Sequence, residues 1–140
     1  MKAVVSQSEE PLQACPAVAP PVVWWLRLEG LTVVVLSAVL YARSGTSLWI
    51  FAALWLVPDL GFLGYLAGPR WGALCYNVCH SYMVPAAIIL AALAFHRDAV
   101  LPFAFLWFNH IGLDRLLGYG LKYPTAFGYT HLKHLGKQRG

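Results

Sequence analysis

Residues 99–115 read AVLPFAFLWFNHIGLDR. The stretch begins as a run as apolar as a lipid tail. It ends with an amide, an imidazole, a carboxylate and a guanidinium within seven positions. A helix on the surface of a soluble protein carries a polar stripe along its whole length. Here the polar groups are confined to one end. That pattern fits a helix that crosses a bilayer and keeps its chemistry near one surface.

The remaining sequence agrees with this reading. Apolar runs fall at 22–42, 47–67, 71–95 and 99–119. Each holds about 20 residues, enough at ~1.5 Å per residue to cross a hydrocarbon core of about 30 Å. The connectors Arg43–Thr46, Gly68–Arg70 and His96–Asp98 are short, which makes sequential neighbours antiparallel. Hydrophobic residues make up 59% of the 140 positions and charged residues 11%. Soluble domains carry about 25% charged residues, and a chain this short cannot bury so much apolar surface within itself. The expected fold is therefore all-α: a polytopic membrane protein with four antiparallel transmembrane helices in a bundle.

The flanks differ from residues 22–120. Residues 1–21 contain Glu9, Glu10, Pro11, Pro16, Pro20 and Pro21. They lack the apolar stretch of a signal peptide and read as a disordered tail. Residues 121–140 read as an interfacial tail, with Tyr123, Phe127 and Tyr129 beside Lys122 and Lys133 at headgroup level. His131 and His134 in this tail are surface histidines beside lysines, with a cap over a pocket as the alternative. No internal repeat is evident.

The net charge of +4 does not form the basic stripe that nucleic acid requires, so no nucleic-acid partner is expected. It reports orientation instead. Of the 10 basic residues only Arg43 and Arg97 fall on the side opposite the N-terminus. The positive-inside rule then places both termini in the cytoplasm, in a multi-pass protein of the cell inner membrane. Trp24, Trp25, Trp49 and Trp71 lie near span ends, as an interfacial aromatic belt would.

The polar residues inside the spans share a depth. Glu29, Asp59, Asn77, His80, His110 and Asp114 each lie about five to nine residues from the cytoplasmic ends, or roughly 8–14 Å below that surface. Groups of this kind are costly in hydrocarbon, face the bundle interior and pair with one another. The opposite half holds little beyond Ser37 and Tyr41. A polar pocket reachable from the cytoplasmic leaflet is the expected result. His110 and Asp114 share a helix face at i and i+4, and so do Tyr76 and His80. Pro58, just before Asp59, is expected to kink the second helix and free backbone carbonyls there. Gly61, Gly64, Gly68 and Gly72 read as a close-packing surface, with Gly64 and Gly68 in the GxxxG spacing.

Two imidazoles and two carboxylates suit a divalent transition metal (zinc, iron or manganese). They equally suit metal-free acid–base chemistry, because burial shifts both residue types toward useful pKa ranges. Asp59, His80, His110 and Asp114 are thus the candidate catalytic or metal-ligating set. Tyr76, Asn77, Glu29 and Arg115 are the candidate substrate-binding groups, Arg115 by neutralising a carboxylate or holding an anionic head group. The function expected is an enzyme or binder for a membrane-soluble small molecule. A proton or solute transport component is one alternative. A non-catalytic protein whose polar cluster only fixes helix packing is another. Lipid is the expected partner, and the glycines and aromatics also suit a homo-oligomer. Cys75 and Cys79 lie four apart, which is not a usual zinc spacing, and read as small apolar residues; with Cys15 in the tail the count is odd and implies no disulfide framework.

Five stretches carry a family resemblance: LRLEG (26–30), PDLGFLGYLAGPR (58–70), YNVCHSY (76–82), NHIGLDRLLGYGLKYPTAF (109–127) and THL (130–132). They resemble a family of short bacterial membrane proteins catalogued as a domain of unknown function. The resemblance spans roughly residues 24–135. It implies a four-helix integral membrane fold and carries no catalytic assignment.

Overall fold

The computed structural model describes residues 19–124, 130 and 132. Most of the expected N-terminal tail with Cys15, and Phe127, Tyr129, His131, Lys133 and His134, lie outside the described residues. The described fold is helical: α1 (Pro20–Arg43), α2 (Leu48–Leu54), a 3-10 helix (Val57–Ala67), α3 (Pro69–Cys79), α4 (Met83–Ala94) and α5 (Leu101–Leu117). A short 3-10 turn, Asp98–Val100, leads into α5. One isolated antiparallel bridge pairs Lys122 with Thr130.

Two helical stretches, 21–43 and 48–67, are long and apolar enough to cross a membrane. α3 and α4 reach that length only together, across a 45° bend. α5 has 17 residues, or about 26 Å at the α-helical rise. The four uninterrupted spans expected from the sequence are thus two continuous stretches, one bent pair and one shorter helix. The outer surface remains apolar: Trp25, Leu66 and Met83 are among many large exposed side chains.

The second stretch changes helix type. α2 ends before Pro58, and the chain continues as a 3-10 helix through Ala67. Eleven residues far exceed the usual three or four of this geometry. The sequence accounts for the length. Residues 58–66 read PDL-GFL-GYL, a repeat of three. With three residues per turn, positions i and i+3 eclipse. Pro58, Gly61 and Gly64 fall on one face, Asp59, Phe62 and Tyr65 on a second, and Leu60, Leu63 and Leu66 on the third. The leucines are 60%, 61% and 88% exposed, facing outward. The glycines lie against α3: a Cβ on Gly64 would stand 2.7 Å from the Cys75 Cβ, and one on Gly61 3.0 Å from the Cys75 carbonyl. The expectation of no internal repeat therefore fails. The GxxxG reading is corrected as well, because Gly68 sits in the turn at φ +109° with open space around it. The close-packed glycines are Gly61 and Gly64 against α3 and Gly72 against the Tyr65 ring.

The third span breaks at His80–Tyr82. Pro85 explains the position: its ring lacks an N–H and would clash with the carbonyl four residues earlier, at Ser81. In hydrocarbon such a break needs side chains to satisfy the freed carbonyls. Trp107 Nε1 donates to the Cys79 carbonyl at 2.7 Å, and Arg115 Nη2 to the His80 carbonyl at 3.1 Å. Both donors come from α5.

α5 is the hub. It packs along α1 with Gly30 and Gly112 at the closest approach: a Cβ on Gly30 would stand 2.8 Å from the Gly112 carbonyl oxygen. Asn109 ties three elements together. Its Nδ2 donates to the Val34 carbonyl and to Ser37 Oγ, and its Oδ1 accepts from Trp55 Nε1 at 3.2 Å. Tyr41 donates to the Ser47 carbonyl. The polar residues of the far half are thus taken up in packing.

Candidate metal centre

Three elements deliver four side chains to one point. Asp59 comes from the first turn of the 3-10 helix, His80 from the residue closing α3, and His110 and Asp114 from successive turns of α5. His80 Nε2 stands 3.2 Å from Asp59 Oδ1 and 3.4 Å from Asp114 Oδ2. His110 Nε2 stands 3.4 Å from Asp59 Oδ1 and 3.9 Å from Asp114 Oδ2. The two Nε2 atoms are 3.3 Å apart. Both histidines are buried, 1% and 2% exposed.

The protonation pattern follows from the partners. His80 Nδ1 lies 3.0 Å from the Tyr76 carbonyl, which can only accept, so Nδ1 carries the hydrogen. A neutral His80 then turns the Nε2 lone pair toward the cluster. Tyr76 itself stacks on the His80 ring, centroids 3.8 Å apart. Its hydroxyl points to Asp114 Oδ2 at 3.5 Å, longer than an ordinary O–H···O bond. His110 is held edge-on by Trp55. Its Nδ1 is buried with no hydrogen-bond partner among the described residues.

The His80 lone pair and the two carboxylates therefore converge, with His110 Nε2 beside them. Such a set suits added protons or a cation. Asp59, His80 and His110 bring their ligand atoms within 4.8 Å of one another. Tetrahedral zinc with bonds of about 2.0–2.1 Å sets its ligands roughly 3.3–3.4 Å apart. The distances from His80 to Asp59, to His110 and to Asp114, and from His110 to Asp59, match that spacing. A ligating histidine usually donates its other ring nitrogen to a carbonyl or carboxylate. His80 does so and His110 does not.

A cavity of about 260 Å³ leads to the cluster. Asp59, Phe62, Tyr76, Asp114 and Tyr119 line it, with Lys122 at its edge. Lys122 Nζ lies 4.9 Å from the Phe62 ring centre and 5.0 Å from that of Tyr76. Burial pushes its ammonium pKa down, while the Asp114 carboxylate pulls it up. The Lys122 backbone is fixed by Asn77, which donates to its carbonyl at 2.8 Å and accepts from its N–H at 2.7 Å. Lys122 was read from the sequence as an interfacial residue; it is 7% exposed. A second and larger groove, about 620 Å³ between Arg43 and Asp98, has no histidine in its lining.

The candidate substrate-binding groups separate. Tyr76 lines the Asp/His cavity. Asn77 acts on the chain after α5. Glu29 and Arg115 line a different cavity, with Ser81 and Tyr82. Arg115 donates to the carbonyls of His80 and Tyr119, and no carboxylate lies within ion-pair distance of it among the described residues. Phe62, Tyr119, Lys122 and Thr130 are the cavity-lining residues that the sequence did not single out. The period-three pattern places Phe62 one turn beyond Asp59. Nothing local signals Lys122, which arrives by long-range folding.

The sequence model of one family, described as Domain of unknown function (DUF4260), matches residues 23–135. The chain belongs to the DUF4260 family. The match includes every residue of the Asp/His cluster and of both cavities beside it. No curated protein and no solved structure matches the chain.

Proposed function

We propose that this DUF4260 protein is a multi-pass protein of the inner membrane that binds one divalent transition metal, zinc by preference, and acts there on a membrane-soluble small molecule. Asp59, His80 and His110 are the ligands. Asp114 is the fourth ligand or the base beside a metal-bound water. The observation that carries this reading is the convergence of the His80 lone pair, His110 Nε2 and two carboxylates at the ligand spacing of tetrahedral zinc. A bound metal would activate water or polarise a substrate oxygen. Substrate would enter through the cavity that Phe62, Tyr76 and Lys122 line.

Four passes with both termini in the cytoplasm agree with the distribution of basic residues. The 3-10 turn at Asp98–Val100 extends α5 toward the length of a crossing. A transport role finds less support, because Ser37 and Tyr41 in the far half are engaged in packing.

The test is elemental analysis of tag-free protein in detergent, beside a variant with all four cluster residues changed to alanine. One equivalent of zinc, iron or manganese per chain, lost in the variant, supports the proposal. Absence of metal after growth with all three metals added refutes it.

A further inference from the structure

We propose that the cavity containing Glu29 and Arg115 binds the head group of a zwitterionic, ammonium-bearing phospholipid, with an acyl chain in the groove beyond it. The cavity is about 350 Å³ and lies between α1, the α3–α4 break and the end of α5. It shares no lining residue with the Asp/His cavity, so this proposal stands independently of the metal.

Two charges of opposite sign face this space without neutralising each other. Glu29 has no ion-pair partner within 4.0 Å among the described residues. Arg115 presents five N–H donors, and the carbonyls of His80 and Tyr119 occupy its two terminal nitrogens only in part. A phosphate suits the guanidinium, and an ammonium suits the carboxylate. A ligand carrying both on adjacent carbons satisfies the pair together.

The apolar half of the ligand is indicated by the neighbouring groove. Val33 lines the Glu29 cavity and also a mainly apolar groove of about 220 Å³, formed with Leu36, Ser37, Leu40, Ile89, Phe105 and Phe108. Phe108 stacks on Tyr82 of the first cavity, 5.7 Å between ring centres. From Glu29 to Leu40 the axis of α1 runs about 16 Å, along the direction a lipid tail takes in the leaflet. A free soluble head group would leave this groove unused.

The experiment uses full-length protein stripped of lipid in dodecyl maltoside. Equal amounts of phosphatidylethanolamine and phosphatidylglycerol with identical acyl chains are added, and bound lipid is counted by native mass spectrometry. Wild type should retain phosphatidylethanolamine about fivefold over phosphatidylglycerol, the effect of one partly buried ion pair. Glu29→Gln should erase that preference. Ile89→Trp, which fills the groove, should reduce retention of both lipids and leave their ratio unchanged. Equal binding by wild type, or an unchanged preference in Glu29→Gln, overturns the proposal. So does competition by free phosphoethanolamine at the concentration effective for the lipid, which would make the ligand a soluble head group.

Discussion

His80 and His110 turn their Nε2 atoms toward each other at 3.3 Å. One ring comes from a broken helix and the other from the helix that mends the break. The same α5 that supplies His110 also supplies Trp107 and Arg115, which donate to the successive carbonyls of Cys79 and His80. The site and the repair of the helix are one construction.

Removing either histidine should abolish metal retention. We expect His80→Ala and His110→Ala to fall from about one equivalent to near zero, with normal amounts in the membrane. Asp114→Asn should keep the metal but weaken it by about 10–100-fold, because three ligands remain. Competition with a chelator measures the affinity. Equal loss in all three variants would make Asp114 an obligatory ligand.

Metal retention should depend on pH in one direction. Histidine ligates as the neutral imidazole, so acid competes with the metal for Nε2. Retention should be full at pH 8 and should fall as acid protonates the ligating imidazoles. Dialysis at stepped pH followed by elemental analysis checks this. Retention that rises toward acid would contradict histidine ligation.

Substitution across residues 58–66 should show a period of three. Gly61→Leu and Gly64→Leu should lower thermal stability in detergent by about 1–3 kcal/mol through overpacking against α3. Leu60→Ile and Leu63→Ile should be within about 0.5 kcal/mol of wild type, as surface changes are. A tolerance pattern with period 3.6 would show an α-helix here instead.

Trp107→Phe removes the only donor described for the Cys79 carbonyl at the break. The change should cost about 1–3 kcal/mol, the penalty of an unsatisfied buried group. Thermal unfolding in detergent measures it. Trp24→Phe, at an exposed position, serves as the control and should change little.

Cysteine labelling from outside spheroplasts should reach Ser44→Cys and Arg97→Cys, in a background lacking the native cysteines. Gly68→Cys should react only after lysis. Labelling of Gly68→Cys in intact spheroplasts would reverse the proposed orientation.

The three-residue column of Pro58, Gly61 and Gly64 shows how much was legible and how it was missed. The repeat is present in the sequence, but apolar runs in a membrane helix are scanned for α-helical spacing, and leucine every third position passes as general hydrophobicity. Pro58 correctly signalled the end of α2. Pro85 carried the same signal and was submerged in an apolar run. Lys122 could not be read from its neighbours, because the bond that fixes it comes from Asn77, 45 positions earlier.

The sequence by itself determined the apolar stretches and how far along each of them its polar residues stand. Both follow from quantities that add along the chain: the transfer free energy of side chains and the rise per residue. It did not determine which of those polar residues meet. Depth fixes height in the bundle, whereas meeting depends on the direction each side chain takes around its helix axis. That direction was set by the switch to a 3-10 helix at Val57, the break before Pro85 and the close approach of Gly30 to Gly112. The tertiary structure therefore brought Asp59, His80, His110 and Asp114 together. It sent Asn77 to Lys122, and it left Glu29 and Arg115 facing a separate cavity.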